Sequence, residues 1–174
     1  MDFLLRPAVP DDLREILRVM HVSRRALACQ DWFVPDTEAY FASHIDSGEG
    51  FCYVAQAPAG ELAAYFTVKL AGEAADALGR QLGMQGAELR ACAQMDSCCV
   101  APPYRGHSLE GRLMQLAEQR LLDWPDRPYR HCLGTVHPDN AASLYSFLHR
   151  GYRIAAADVL CYGGKRRHIL QKDL

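Results

Sequence analysis

The chain lacks the features that would tie it to metal, nucleic acid or membrane. Its seven cysteines include no C-x-x-C pair and no zinc-ligand spacing, so no metal site is indicated and an odd count argues against a disulfide scaffold. No run of apolar residues approaches the length of a membrane span, and the opening Met1-Asp-Phe-Leu-Leu-Arg-Pro7 lacks the apolar core of a signal peptide. A cytoplasmic protein with reduced thiols and no membrane partner is the expectation. A basic excess is also missing: the formal charge of −2 gives no broad nucleic-acid footprint, and Lys165, Arg166, Arg167 and His168 form only a local cationic cluster. No glycine-rich run ends in a Lys-Ser/Thr pair, which excludes Walker-type phosphate binding. Internal repeats, linkers and low-complexity tracts are absent as well.

What remains is an ordinary folding sequence. Its 174 residues, 49% apolar and 23% charged, suit one domain spanning 1–174 with a sizeable core. Residues 2–6 read as an opening strand, after which Pro10-Asp11-Asp12 offers turn and cap chemistry for a helix with Leu13, Ile16, Leu17 and Met20 on one stripe. A loop carrying Trp32 and Phe33 follows, then a helix from Asp36 or Thr37 to about Ile45. Residues 51–57 and 62–68 predict a hairpin joined by Pro58-Ala-Gly-Glu61, and 70–90, rich in Ala, Gly, Leu and Glu, predict a helical insertion. Further along, the pattern gives a strand over 94–100, a helix over 108–123, a strand over 131–136, a helix from His137-Pro-Asp-Asn140 to about Arg150, and a closing hairpin of 153–161 with 166–171 about Gly163-Gly164. Hairpins mixed with strand-helix-strand crossovers make an α+β fold around one mixed, mostly antiparallel sheet.

The densest chemical signal is Val100-Ala-Pro-Pro-Tyr-Arg-Gly-His-Ser-Leu-Glu-Gly-Arg-Leu113. Two prolines end a strand, Gly106 relaxes the turn, and Ser108 is placed to cap the helix that follows. A helix start offers N–H donors and partial positive charge, so this segment reads as an anion-binding turn with Arg105 adding a full charge.

Three ordered pieces make the sequence resemble the GCN5-related N-acetyltransferases, the GNAT superfamily, over nearly its whole length. They are Leu5-Arg-Pro-Ala-Val-Pro-Asp-Asp-Leu13, the segment Val100-x-Pro-x-Tyr-Arg-Gly106, and Asn140-Ala-Ala-Ser-Leu-Tyr-Ser-Phe-Leu-His-Arg-Gly-Tyr152. The resemblance implies an α/β/α GNAT-like domain that moves acetyl from acetyl-CoA to an amine. It assigns the diphosphate to backbone donors of Arg105, Gly106, His107, Ser108, Leu109 and Glu110, and the pantetheine arm to the main chain of Cys98, Cys99 and Val100. Asn140 matches a position that often contacts the arm, and Tyr145 matches the frequent general acid. The chain departs from the family's R-x-x-G-x-G/A turn at Ser108, where glycine is expected, and at Glu110, where a small residue is expected. A Cβ at the first limits approach to the backbone, and a carboxylate at the second repels a phosphate unless it points outward.

No general base is marked outright. Asp96 is preferred over His137, whose His-Pro-Asp-Asn setting reads equally well as loop and cap. Tyr145 also lies on an apolar stripe with Ala141, Leu144 and Leu148, so packing is its rival role. A nucleophilic role for Cys98 or Cys99 is disfavoured, because direct attack by the amine needs no acyl-enzyme. The acceptor is expected to be a small-molecule or peptide amine, with Asp31, Asp36 and Glu38 available to attract a cation, and the final hairpin leaves a homodimer open. The reading from a different class is a GNAT-like domain that senses acyl-CoA or binds a protein partner without turnover.

Overall fold

A computed structural model describes residues 1–46, 48–126 and 128–174. The chain divides into two compact units, one of residues 1–69 with 97–117 and one of 70–96 with 118–174. One sheet of seven strands runs in the order β1-β2-β3-β4-β5-β7-β6.

The first unit holds β1 (Leu4–Pro7), α1 (Leu13–Arg25), α2 (Glu38–Asp46), β2 (Gly50–Gln56) and β3 (Leu62–Lys69). It also holds the end of β4 (Cys92–Val100) and the start of α4 (Leu109–Leu122). Asp12 fixes the entry to α1. Its carboxylate accepts both Arg6 guanidinium nitrogens at 2.6 and 2.8 Å and the Val9 N–H at 2.9 Å, which ties β1 to the helix start. Of the predicted stripe of α1, Ile16 and Met20 are buried, joined by Val19, in one cluster with Phe41, Val54, Leu62, Tyr65 and Cys99, while Leu13 and Leu17 pack against it partly buried. Burying an aliphatic or aromatic side chain of this size is worth about 1.5–3 kcal/mol against leaving it in water. Thr37, rather than Asp36, caps α2, its hydroxyl oxygen accepting the Tyr40 N–H at 3.1 Å. β3 is buried on both faces nearly throughout, which is why Leu62-Ala-Ala-Tyr-Phe-Thr-Val68 is apolar but for Thr67 instead of alternating.

In the second unit, residues 70–90 differ from the expected helical insertion. Only a short 3₁₀ turn over Leu78–Leu82 and a single helical turn, α3 (Ala87–Arg90), form there. Gly83 ends the 3₁₀ turn in the left-handed region at φ +78°, and Gly86 at φ +48° separates it from α3, so no continuous helix forms and only Ala77, Leu78, Gly79 and Leu89 of the segment are buried. Leu78 reaches the core with Cys92, Leu133, Cys161 and Ile169, and its N–H donates to the buried Gln94 Oε1 at 2.6 Å.

The β4–β5 ladder is parallel, running from Cys92 opposite His131 to Gln94 opposite Leu133 on β5 (His131–Val136). β7 (Lys165–Asp173) pairs antiparallel with β5 and with β6 (Arg153–Cys161), so the closing hairpin is as expected. α5 (Ala141–His149) seats its buried Phe147 against Gly134, where any Cβ would fall within 2.6 Å of the phenyl ring. Glu118 accepts from Arg150 at 2.6 Å and from Lys172 at 2.9 Å, pairing a buried carboxylate with two cations. No helix among the described residues is long and apolar enough to cross a membrane.

Candidate functional site

The turn leading into α4 differs in backbone from the capped helix start expected. Pro102–Tyr104 form a 3₁₀ turn, and Gly106 follows at φ +82°. Ser108 adopts φ +55°, a left-handed conformation, so it occupies the backbone region that favours glycine and not the extended one of a capping serine. Its carbonyl enters the helix, accepting the Arg112 N–H at 3.0 Å, which leaves the N–H groups of Leu109 and Gly111 ahead of the ladder. Arg105 through Ser108 are exposed and Leu109 is buried, so the turn is anchored from one side and open on the other. His107 packs on Phe3 at 5.3 Å between ring centroids, and Phe3 meets Tyr104 edge to face at 5.8 Å. Arg105 leans back on α1, its guanidinium donating to the Ser23 carbonyl at 3.4 Å.

Ser23 is a residue that sequence reasoning missed. Its hydroxyl donates to the Val100 carbonyl at 3.1 Å, fixing the end of β4 against the last turn of α1. A contact between residues so far apart in the chain leaves no local pattern to read.

Cys98 and Cys99 are ordinary thiols. Burial, with the charge of Glu110 added, pushes the Cys98 thiol far above its ordinary range. Burial likewise raises Cys99 to about 12, opposed by the Tyr65 hydroxyl that donates to its sulfur at 3.4 Å and reinforced by Asp36 and Glu110. A thiol held protonated is a poor nucleophile, in keeping with direct attack. Glu110 itself is half-buried in the first turn of α4, and its charge adds to the upward push on both thiols.

The other candidate residues lie in the second unit. Asp96 stands two residues beyond the last of the β4–β5 pairs, on the face that carries Gln94, and is partly exposed. Asn140 caps α5, its side-chain oxygen accepting the Ser143 N–H at 3.4 Å. His137 is committed to its loop: Nδ1 accepts the Asp139 N–H at 3.1 Å, and its carbonyl accepts the Asn140 N–H at 2.9 Å. The packing role weighed for Tyr145 does not hold. Tyr145 is 63% exposed and Leu148 44% exposed, while the neighbouring Phe147 takes the core position, because Gly134 makes room for it alone. Tyr145 stacks on His149, at 4.7 Å between centroids. Among the described residues no group of His, Cys, Asp and Glu is arranged to hold a metal ion.

Known folds match this arrangement along its length. A GNAT-family acetyltransferase from Listeria monocytogenes superimposes with a TM-score of 0.71 at 18% identity, covering 99% of this chain and 95% of that one. Arabidopsis thaliana NAA60, solved with a bisubstrate analogue, gives 0.73 at 16% identity over 99% of both chains. A phosphinothricin acetyltransferase from Sinorhizobium meliloti, solved with AcCoA, gives 0.72 at 18% identity, covering 100% of this chain and 89% of its own. At such identities these likenesses establish the fold. No curated protein matches the sequence. The sequence model of the acetyltransferase (GNAT) family, however, matches residues 17–152, well over half of the chain, from within α1 to the end of α5. The chain belongs to the acetyltransferase (GNAT) family.

Proposed function

We propose that the chain transfers an acetyl group from acetyl-CoA to a primary amine of a small-molecule or peptide acceptor, by direct attack of the amine on the thioester. The turn from Gly106 to Leu109 carries this reading. Its left-handed residues and the N–H groups ahead of the α4 ladder suit a diphosphate, and its solvent-facing side gives one room. The main chain of Cys98, Cys99 and Val100 would pair with the pantetheine arm, Val100 with its carbonyl already engaged by Ser23. Acetyl-CoA in the Sinorhizobium relative and the bisubstrate analogue in the Arabidopsis one support a reaction in which donor and acceptor are held together.

The chemistry needs two proton movements. As the amine nitrogen bonds to the acetyl carbon and the carbon–sulfur bond breaks, the nitrogen gives up a proton, which we assign to the Asp96 carboxylate. The departing thiolate takes a proton, which we assign to the exposed Tyr145 hydroxyl. Asn140 then serves chiefly as the cap that holds the start of α5.

A library of amines assayed by release of CoA thiol tests the reading. An acceptor-dependent rate is expected, falling roughly 10²-fold or more in Tyr145→Phe or Asp96→Asn, the contribution usual for a positioned acid or base. The sensor reading keeps one observation in its favour, a half-buried carboxylate, Glu110, in the first turn of α4. Acetyl-CoA binding by calorimetry without thiol release for any amine would support that reading instead.

A further inference from the structure

Tyr162 closes the β6–β7 hairpin in a conformation that its residue type resists. Its φ is +48°, in the left-handed region where a Cβ crowds the backbone, and Gly163 and Gly164 continue the turn at +74° and +99°. Glycine would take that first position without strain, so the side chain has a task. The phenol reaches past β7 to β5, where it shares a hydrogen bond of 3.1 Å with the Thr135 hydroxyl.

Thr135 lies two residues beyond Leu133, as Asp96 lies two beyond Gln94, and Leu133 and Gln94 are partners in the parallel ladder. Alternation along each strand therefore puts Asp96 and Thr135 on one sheet face. Arg167, on β7 two residues before Ile169, the partner of Thr135, shares that face and is buried. Tyr162 is 49% exposed as a residue, with Thr135 the group its hydroxyl touches; shielding of that hydroxyl and then the Asp96 charge push it up, with Thr135 and Arg167 opposing and Cys161 adding. A phenol held in this way stays protonated and neutral.

We propose that Tyr162 is a positioning residue of the acceptor site, whose bond to Thr135 holds the β6–β7 turn beside Asp96 and sets how a primary ammonium group meets that carboxylate. The inference rests on Asp96 as the base. It does not give Tyr162 a proton to carry: a carboxylate with hydroxyls beside it is a set of oxygen acceptors suited to an alkylammonium ion.

The test uses the full chain with ring-¹³C tyrosine, the Tyr162 resonance being identified by its loss in Tyr162→Phe. In the wild type that resonance is expected to move as pH crosses the carboxylate range and to move on adding propylammonium chloride, beyond the effect of equal sodium chloride. Both responses should vanish in Asp96→Asn, and Thr135→Val should weaken the second. Tyr162→Gly relieves the backbone, so it should unfold no earlier than wild type, while propylammonium no longer protects Asp96 in a carboxylate-observed titration. A Tyr162 resonance indifferent to propylammonium, or one that responds equally in Asp96→Asn, overturns the inference. The thiol-release assay separates the two readings: an unimpaired Asp96→Asn removes the base and this inference together, whereas an impaired Asp96→Asn beside an indifferent Tyr162 resonance removes the inference alone.

Discussion

Under the proposed function, Ser108 and Glu110 would set how well the turn receives a diphosphate, each in a different way. A non-glycine residue in the left-handed region costs about 1–2 kcal/mol, while glycine returns about 0.5–1 kcal/mol through a freer unfolded chain. Ser108→Gly should therefore leave thermal stability equal or slightly raised, and bind acetyl-CoA several-fold more tightly in calorimetry, since the Cβ beside the cradle is gone. Glu110→Gln removes a like charge near a phosphate and should tighten binding most at low salt, the gain shrinking as screening rises. Both departures from the family turn are legible in the sequence. What is not legible is that the serine supplies the glycine-like backbone itself and leaves capping aside, because φ follows from the whole turn and not from one residue.

At the scale of elements, the link between β1 and α1 gives the clearest pH signature. Burial alone would raise the Asp12 pKa, but the Arg6 pair and the Val9 N–H outweigh it and lower the value below that of an unfolded chain. A carboxyl lowered on folding contributes its stability in full above its unfolded pKa and loses it as pH falls through the lowered folded value. Urea midpoints should accordingly drop through the acid carboxylate range in the wild type, and Asp12→Asn should flatten that part of the curve. At neutral pH the same variant should cost about 1.5–3 kcal/mol, the range for a hydrogen bond to a charged group. The seat of α5 offers a second case. Gly134→Ala drives a methyl toward the Phe147 ring and should destabilise by about 1–3 kcal/mol, as overpacking does, shown by a lowered urea midpoint. Strands and long helices were readable because their periodicity and their breakers agree, as in 131–136 and in the hairpin about Gly163-Gly164. The 70–90 segment was not, since helix-favouring composition there is overruled by glycines whose backbone values only the fold reveals.

Across the whole molecule, the thiols report on folding as a unit. All seven cysteines are free; Cys29 is exposed, while burial raises Cys52 and Cys132 to about 12 and Cys92 to about 11, the last with a contribution from Glu88. Iodoacetamide should therefore modify Cys29 in the native protein and reach the buried thiols only through unfolding, so their labelling should track denaturant while that of Cys29 does not. The family was legible from three short segments spread over the chain, whereas the surroundings of Asp96 were not, because Thr135, Tyr162 and Arg167 come together only through strand order β5-β7-β6.

The grip of backbone amides on the CoA diphosphate is tested most directly by a ¹⁵N–¹H NMR titration of the full chain with CoA. The amides from Gly106 through Gly111 are expected to shift most, and to shift less with a CoA fragment lacking the diphosphate. Saturable CoA binding that leaves those amides unmoved would contradict the account.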